Sequence, residues 1–258
     1  QIKAFRIADN KTGDIATYNK SMLREEVRSL KDMDMSRFGL DFKSKVLPYG
    51  AERLRTDDAY NLGICSRTDC GRDGFPKLPK ADAKPAELQG FNFAKSTPSD
   101  RKRGKGCHFF IDDYQFERLW QRPERYLDVL RGYDCVLTPD FSLYMDMPDP
   151  MQEWNRYRSA ALGWYWAQHG ITVVPTLSWA QPSSYRFCFK GIPKHSTVAT
   201  STVGVAKDKD AQKVWHDGMR EAMKRLEPPR VLLYGKNIGF DFGSCEVVEY
   251  KAGGFHGR

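Results

Sequence analysis

A carboxylate held where a buried strand ends can serve as a nucleophile or a general base, and this chain sets several at such points. The densest stretch is YDCVLTPDFSLYMDMPDP, residues 133–150. Val136 and Leu137 suit a sheet interior, and Pro139, which has no N–H for a ladder, marks the strand's end. Asp140 follows at once, with Ser142 two residues on. Asp112 closes the strand-like run CHFFID, Ser178 and Trp179 close ITVVPTLSW, and Lys236 and Asn237 follow RVLLYG. Asp140, Asp112 and Ser142 are therefore the catalytic candidates. Trp179 and Tyr185 are candidates for stacking on a planar ligand, with Ser178, Lys236 and Asn237 as its polar contacts. One Asp after a strand is usually a turn former or helix cap, and Asp146 and Asp149 read as caps. Recurrence over several strand ends is what points to a site, because ligands of parallel sheets and barrels bind beyond the strands' carboxyl ends.

The elements that must position these groups are strands and helices in alternation. After the strand at Cys107–Asp112, residues 114–132 read as two short helices divided near Pro123, and 133–141 as the next strand. Met151–His169 is helical, with Trp154, Tyr157, Ala161 and Trp164 or Tyr165 as an apolar stripe and Gly170 as its stop. ITVVPTLSW, STVATSTVGV, RVLLYGKNIGF and CEVVEY are further strands, and Lys209–Leu226 is an amphipathic helix. Alternation of this kind predicts right-handed parallel crossovers. The expected fold is α/β, an incomplete or elaborated (β/α) barrel-like domain over residues 107–258; the alternative is an open doubly wound parallel sheet. Residues 1–106 form the expected irregular basic N-terminal region. It holds a hairpin over residues 1–17, a helix beginning near Ser21, and a Gly-, Pro- and Lys-rich loop or arm over residues 63–106.

Composition narrows the function classes. The net charge is +8, and residues 1–106 carry 22 Lys or Arg against 15 Asp or Glu, so most of the excess lies there. Its sharpest expression is RKRGK, where Arg101, Lys102, Arg103 and Lys105 are candidates for phosphate contacts with DNA or RNA. No apolar run reaches the roughly 20 residues of a membrane span, and QIKAFRIADN lacks signal-peptide character, which gives a cytoplasmic expectation with no membrane partner. Six cysteines in mostly strand-like contexts read as reduced thiols. Cys65 and Cys70 with Cys107 and His108 make a poor zinc pattern, since adjacent residues in an extended strand point to opposite faces, so no metal is assigned. No nucleotide-binding loop, nucleophile elbow or kinase signature is present, and no motif names a cofactor.

HFFIDDYQFERLW, VLTPDFSLYMDMP, GITVVPTLSW and VATSTVG together resemble an uncharacterised family of phages and other mobile elements, domain of unknown function 4417. The resemblance covers residues 107–240 and implies a bacterial or phage cytoplasmic setting, with no reaction attached. The order of strands is also similar to the barrel of base-exchanging transglycosylases, in which a carboxylate attacks the sugar carbon. That similarity implies Asp140 or Asp112 as the nucleophile, although the zinc-cysteine cluster of the tRNA enzymes is missing. Two functions are thus expected from different classes: a nucleic-acid-binding accessory protein, or a nucleobase-modifying enzyme.

Overall fold

The computed structural model describes residues 60, 61, 63–65 and 67–253. The hairpin and helix expected before residue 60 lie outside these. Among the described residues seven strands, β1 (Glu87–Gly90), β2 (Lys105–His108), β3 (Cys135–Leu137), β4 (Val173–Val174), β5 (Val198–Ser201), β6 (Arg230–Tyr234) and β7 (Glu246–Tyr250), are separated by helices, except that β7 follows β6 without one. The helices are α1 (Phe91–Ala94), α2 (Arg118–Gln121), α3 (Leu127–Leu130), α4 (Asp149–Gln168), α5 (Tyr185–Cys188) and α6 (Lys209–Leu226).

All strand pairs are parallel, and strand order follows chain order: β1-β2-β3-β4 in one sheet and β5-β6-β7 in the other. The two sheets meet where Leu177 N–H donates to Ala199 O (2.7 Å) and Ala199 N–H to Pro175 O (2.8 Å). Strand order never reverses, so successive crossovers wind in one direction and the sheet curls as a barrel does. The period-2 pattern shows the curl. Val136, Val173, Val198, Val231 and Leu233 pack outward under the helices, while Leu137, Val174, Ala199 and Leu232 point inward. Leu88 of β1 and Tyr250 of β7 belong to that same inner cluster, as an arc bent back on itself requires.

Among the described residues no ladder joins β7 to β1, so the barrel stays open. Side chains cross the gap instead. Tyr250 OH donates to Pro85 O (2.7 Å), Arg230 binds Asp82, and Lys84 binds Glu246. The stretch expected to be a loop or arm thus holds a strand, β1, and a wrapping segment. Phe75, Leu78 and Ala81 of that segment are buried, and Leu78 N–H bonds Gly191 O (2.9 Å). Gly191 has no alternative residue there: its φ is +73°, and a Cβ would stand 2.1 Å from Pro76 O.

The apolar stripe expected on α4 is corrected by the structure. Ala161 is buried as that stripe requires, but Trp154 is exposed, and Tyr157, Trp164 and Tyr165 are only half-buried. The buried face runs through Gln152, Asn155, Arg156, Ser159, Leu162, Gly163 and Trp166. Small residues let the helix sit close to β3 and β4: a Cβ at Gly163 would fall 2.5 Å from the Thr138 methyl. The polar members bind backbone carbonyls, as when Arg156 Nε and Nη2 donate to Cys188 O and Lys190 O, each at 2.7 Å.

Candidate functional site at the carboxyl ends of the strands

The ends of β3 and β4 are locked by two threonines. Thr176 N–H donates to Thr138 Oγ1 (2.9 Å), and Thr176 Oγ1 donates to Thr138 O (2.6 Å). This extends the ladder past Pro175 and up to Pro139, and Asp140 lies beside Ser178. Both line a cavity of about 730 Å³ together with Asp112, Ser142 and Trp179. Its apolar wall comes from Phe110, Leu177, Trp179 and Trp215. That volume and mixed lining suit a ligand of nucleotide size.

Asp140 occupies the most perturbed position in this cavity. Its Oδ1 is buried and has no hydrogen-bond partner among the described residues, although the residue keeps some exposure through its other atoms. Burial pushes its carboxyl up to about 7, a hydrogen bond from Ser178 pulls it back, and the neighbouring Asp113 raises it further. A carboxylate that changes charge near neutrality and keeps one oxygen unpartnered is equipped to accept a proton or bond to carbon.

Ser142 is differently placed. Its N–H and Oγ both donate to Asp113 (3.0 and 2.9 Å), so its hydroxyl is committed to positioning the loop. That loop is supported from α4. Asn155 Nδ2 donates to Ser142 O (2.8 Å), Arg158 Nη2 donates to Asn155 Oδ1 (2.6 Å), and Arg158 Nη1 pairs with Glu117 (2.5 Å). The Arg158 guanidinium also lies 3.9 Å from the centre of the buried Phe141 ring. Sequence cannot say which of the adjacent carboxylates Asp112 and Asp113 turns toward Ser142, and it is Asp113. Asp112 lines the cavity and precedes the short 3-10 turn Asp113–Gln115 without capping it.

Trp179 borders the cavity with its indole N–H on Val214 O (3.1 Å), and its ring fits because residue 218 is glycine: a Cβ there would lie 2.1 Å from Nε1. Tyr185 is not in this cavity; it packs on Phe189 from α5, and its carbonyl accepts from Arg225. Lys236 lines a second cavity next door. Asn237 folds its own turn, its side chain exchanging bonds with Phe240 and its N–H donating to Glu249. Asp208 and Asp210, at the start of α6, also line the first cavity. Their helix-start position was legible in the sequence, but the turn that brings them back to the cavity was not.

The basic run leads into β2, of which Lys105 is the first residue, so it sits at the amino end of that strand, and none of its residues lines this cavity. Lys102 is buried, with Nζ on Val129 O (2.8 Å) and over the Tyr133 ring, and burial lowers its pKa. Lys105 pairs with Glu87 (3.1 Å), while Arg101 and Arg103 are exposed. Cys107, Cys135, Cys188 and Cys245 are in no disulfide, and among the described residues no group of three His, Cys, Asp or Glu could hold a metal ion. No helix of the described residues is long and apolar enough to cross a membrane.

The class defined so far is a curled, parallel α/β sheet with a carboxylate-lined cavity at its strand ends. The chain belongs to the family described as domain of unknown function (DUF4417), which matches residues 70–251. It is 44% identical over 194 residues to "Gene 1 protein" of Mycobacterium phage L5, covering 75% of this chain and 84% of that one. It is 40% identical over 177 residues to "Gene 1 protein" of Mycobacterium phage D29, covering 68% of this chain and 66% of the relative. These similarities associate the chain with phage proteins. No solved structure matches it.

Proposed function

We propose that this protein is an enzyme acting on a nucleoside unit of nucleic acid or of a free nucleotide, with Asp140 as its reacting carboxylate. The observation that carries the reading is Asp140 Oδ1, buried and unpartnered in a cavity walled by aromatic rings. An acid that titrates near 7 has both forms populated at neutral pH, which suits proton transfer, and its ionised form is a competent nucleophile. In a base exchange of the transglycosylase kind, Asp140 would form a C–O bond to the sugar carbon as the glycosidic C–N bond breaks. The departing base would keep the electron pair and take a proton from solvent. A second base would then reverse these changes, losing its N–H proton and releasing the carboxylate. The half-buried Trp179 offers a ring for a base, the buried Phe110 and Trp215 back that wall, and the exposed Tyr144 and Met145 at the rim extend the surface.

The test is to incubate the full chain with DNA or RNA oligonucleotides and a labelled free base. Incorporation of label that Asp140→Asn abolishes, without loss of the folded state, is the expected result. Absence of incorporation together with equal nucleotide binding by wild type and variant would contradict it.

A second reading, a nucleic-acid-binding accessory protein, is favoured by Arg101 and Arg103. Both are exposed and make no ion pair among the described residues, so they are available to phosphate.

A further inference from the structure

The loops after β5, β6 and β7 enclose a second cavity, of about 870 Å³, beside the first. Its charge is the reverse of its neighbour's. Lys207, Lys236 and Lys251 line it, all exposed and none in an ion pair among the described residues. Glu249 is the single acid in that lining, and its Oε1 is occupied by the Asn237 N–H (2.9 Å). The first cavity is lined by Asp112, Asp140, Asp208 and Asp210, with no lysine or arginine. Val203 and Gly204 line both, so an acidic compartment and a basic one share a lip. Three unpaired ammoniums gathered in one concavity repel one another and gain most from a multiply charged anion.

The lip and floor are built to let a ligand pass close to the backbone. Gly204 has φ +86°, and nothing lies within 4 Å of where its Cβ would be, so it leaves the lip open. Gly235, at φ +118°, sits so tightly on Thr202 that a Cβ would fall 2.3 Å from Thr202 Oγ1. Thr202 Oγ1 in turn donates to Lys236 O (2.9 Å), which fixes the backbone that carries Lys236.

The geometry points to a phosphate subsite in the basic cavity, with Lys207, Lys236 and Lys251 as its cationic contacts, so that one phosphate-bearing ligand crosses the Val203–Gly204 lip with its base and sugar beside Asp140. This deepens the nucleoside reading and rests on it for the ligand's other half. The phosphate half stands on the second cavity alone. A mononucleotide and a nucleic-acid strand offer the same chemistry there, since each presents phosphate one sugar away from a base.

The test titrates the full chain with inorganic phosphate, with nucleosides, with the corresponding 5′-monophosphates and with a short single-stranded oligonucleotide. Monophosphates or the oligonucleotide should bind at least about tenfold more tightly than nucleosides, the size expected for a charge-assisted contact. The triple variant Lys207→Gln, Lys236→Gln, Lys251→Gln should lose that advantage and keep its melting temperature, since none of the three supports the fold through an ion pair. Lysine-dependent binding of the monophosphate assigns the site to free nucleotides, and such binding of the oligonucleotide alone assigns it to a strand's backbone. Asp140→Asn should leave inorganic phosphate binding intact, so failure of the Asp140 reading leaves this outcome readable. Phosphate and phosphorylated ligands that bind wild type and triple variant equally, or bind neither, would overturn the proposal.

Discussion

Asp140 carries a stability cost that its place in the cavity explains. Its carboxyl is raised from 3.8 in the unfolded chain to about 7 in the fold, chiefly by burial. Between those values the native state holds a proton that the unfolded state has released, so what Asp140 contributes to stability is greatest below pH 4 and is lost as pH rises to about 7. Asn keeps the shape and removes the charge. Asp140→Asn should therefore stabilise the protein at pH 8 by roughly 2–4 kcal/mol and change it little at pH 4, as measured by denaturant unfolding at both values. A loss of stability at pH 8 would mean that the carboxylate holds its loop. Asp140 was legible in the sequence because Pro139 ends a buried pair of residues just before it. Asp113 was not, since its role depends on a turn that aims it at Ser142. Tyr185 misled for a related reason: an aromatic residue close in sequence to a strand end can still belong to the next helix and face its core.

At the level of elements, α6 was readable from end to end. Its cap Asp208 accepts from the N–H groups of Asp210 and Ala211, and Trp215, Met219, Ala222 and Leu226 recur at helical spacing on the buried side. The buried face of α4 escaped the same reasoning. Gln152, Asn155, Arg156 and Arg158 are buried with at least one hydrogen bond each to neighbouring loops or side chains, and hydropathy does not register such a bond. Asn155→Ala should leave Ser142 O without its α4 partner and cost about 1–3 kcal/mol, measurable as a lowered unfolding midpoint. On α6, Gly218→Ala should drive Trp179 from its seat, destabilise the chain by about 1–3 kcal/mol and change the environment of the indole, as read by tryptophan fluorescence. β1 was hidden because ELQG is a four-residue strand with a terminal glycine inside a stretch rich in turn residues.

At the level of the whole molecule, alternating strand and helix signals announced the parallel α/β class, while the curl depended on contacts between β1, β7 and the segment before β1 that no local pattern encodes. The resulting open barrel has two chemically different ends. Its carboxyl end holds the two cavities and its amino end holds the basic run. Only Arg101 and Arg103 of that run are uncommitted, so replacing Arg101, Lys102, Arg103 and Lys105 with Gln should reduce the salt dependence of any nucleic-acid binding by about two charges' worth rather than four. A filter-binding series over salt concentration measures this, and Lys102→Gln alone should lower stability through its lost bond to Val129 O. Whether Asp140 is the working group of a nucleotide site is read by NMR titration of the aspartate side-chain carboxyls, without and with a nucleoside 5′-monophosphate. One carboxyl should titrate with a midpoint near 7, be missing in Asp140→Asn and move when the nucleotide is added. An Asp140 resonance that titrates in the ordinary carboxylate range and ignores the nucleotide would contradict that role.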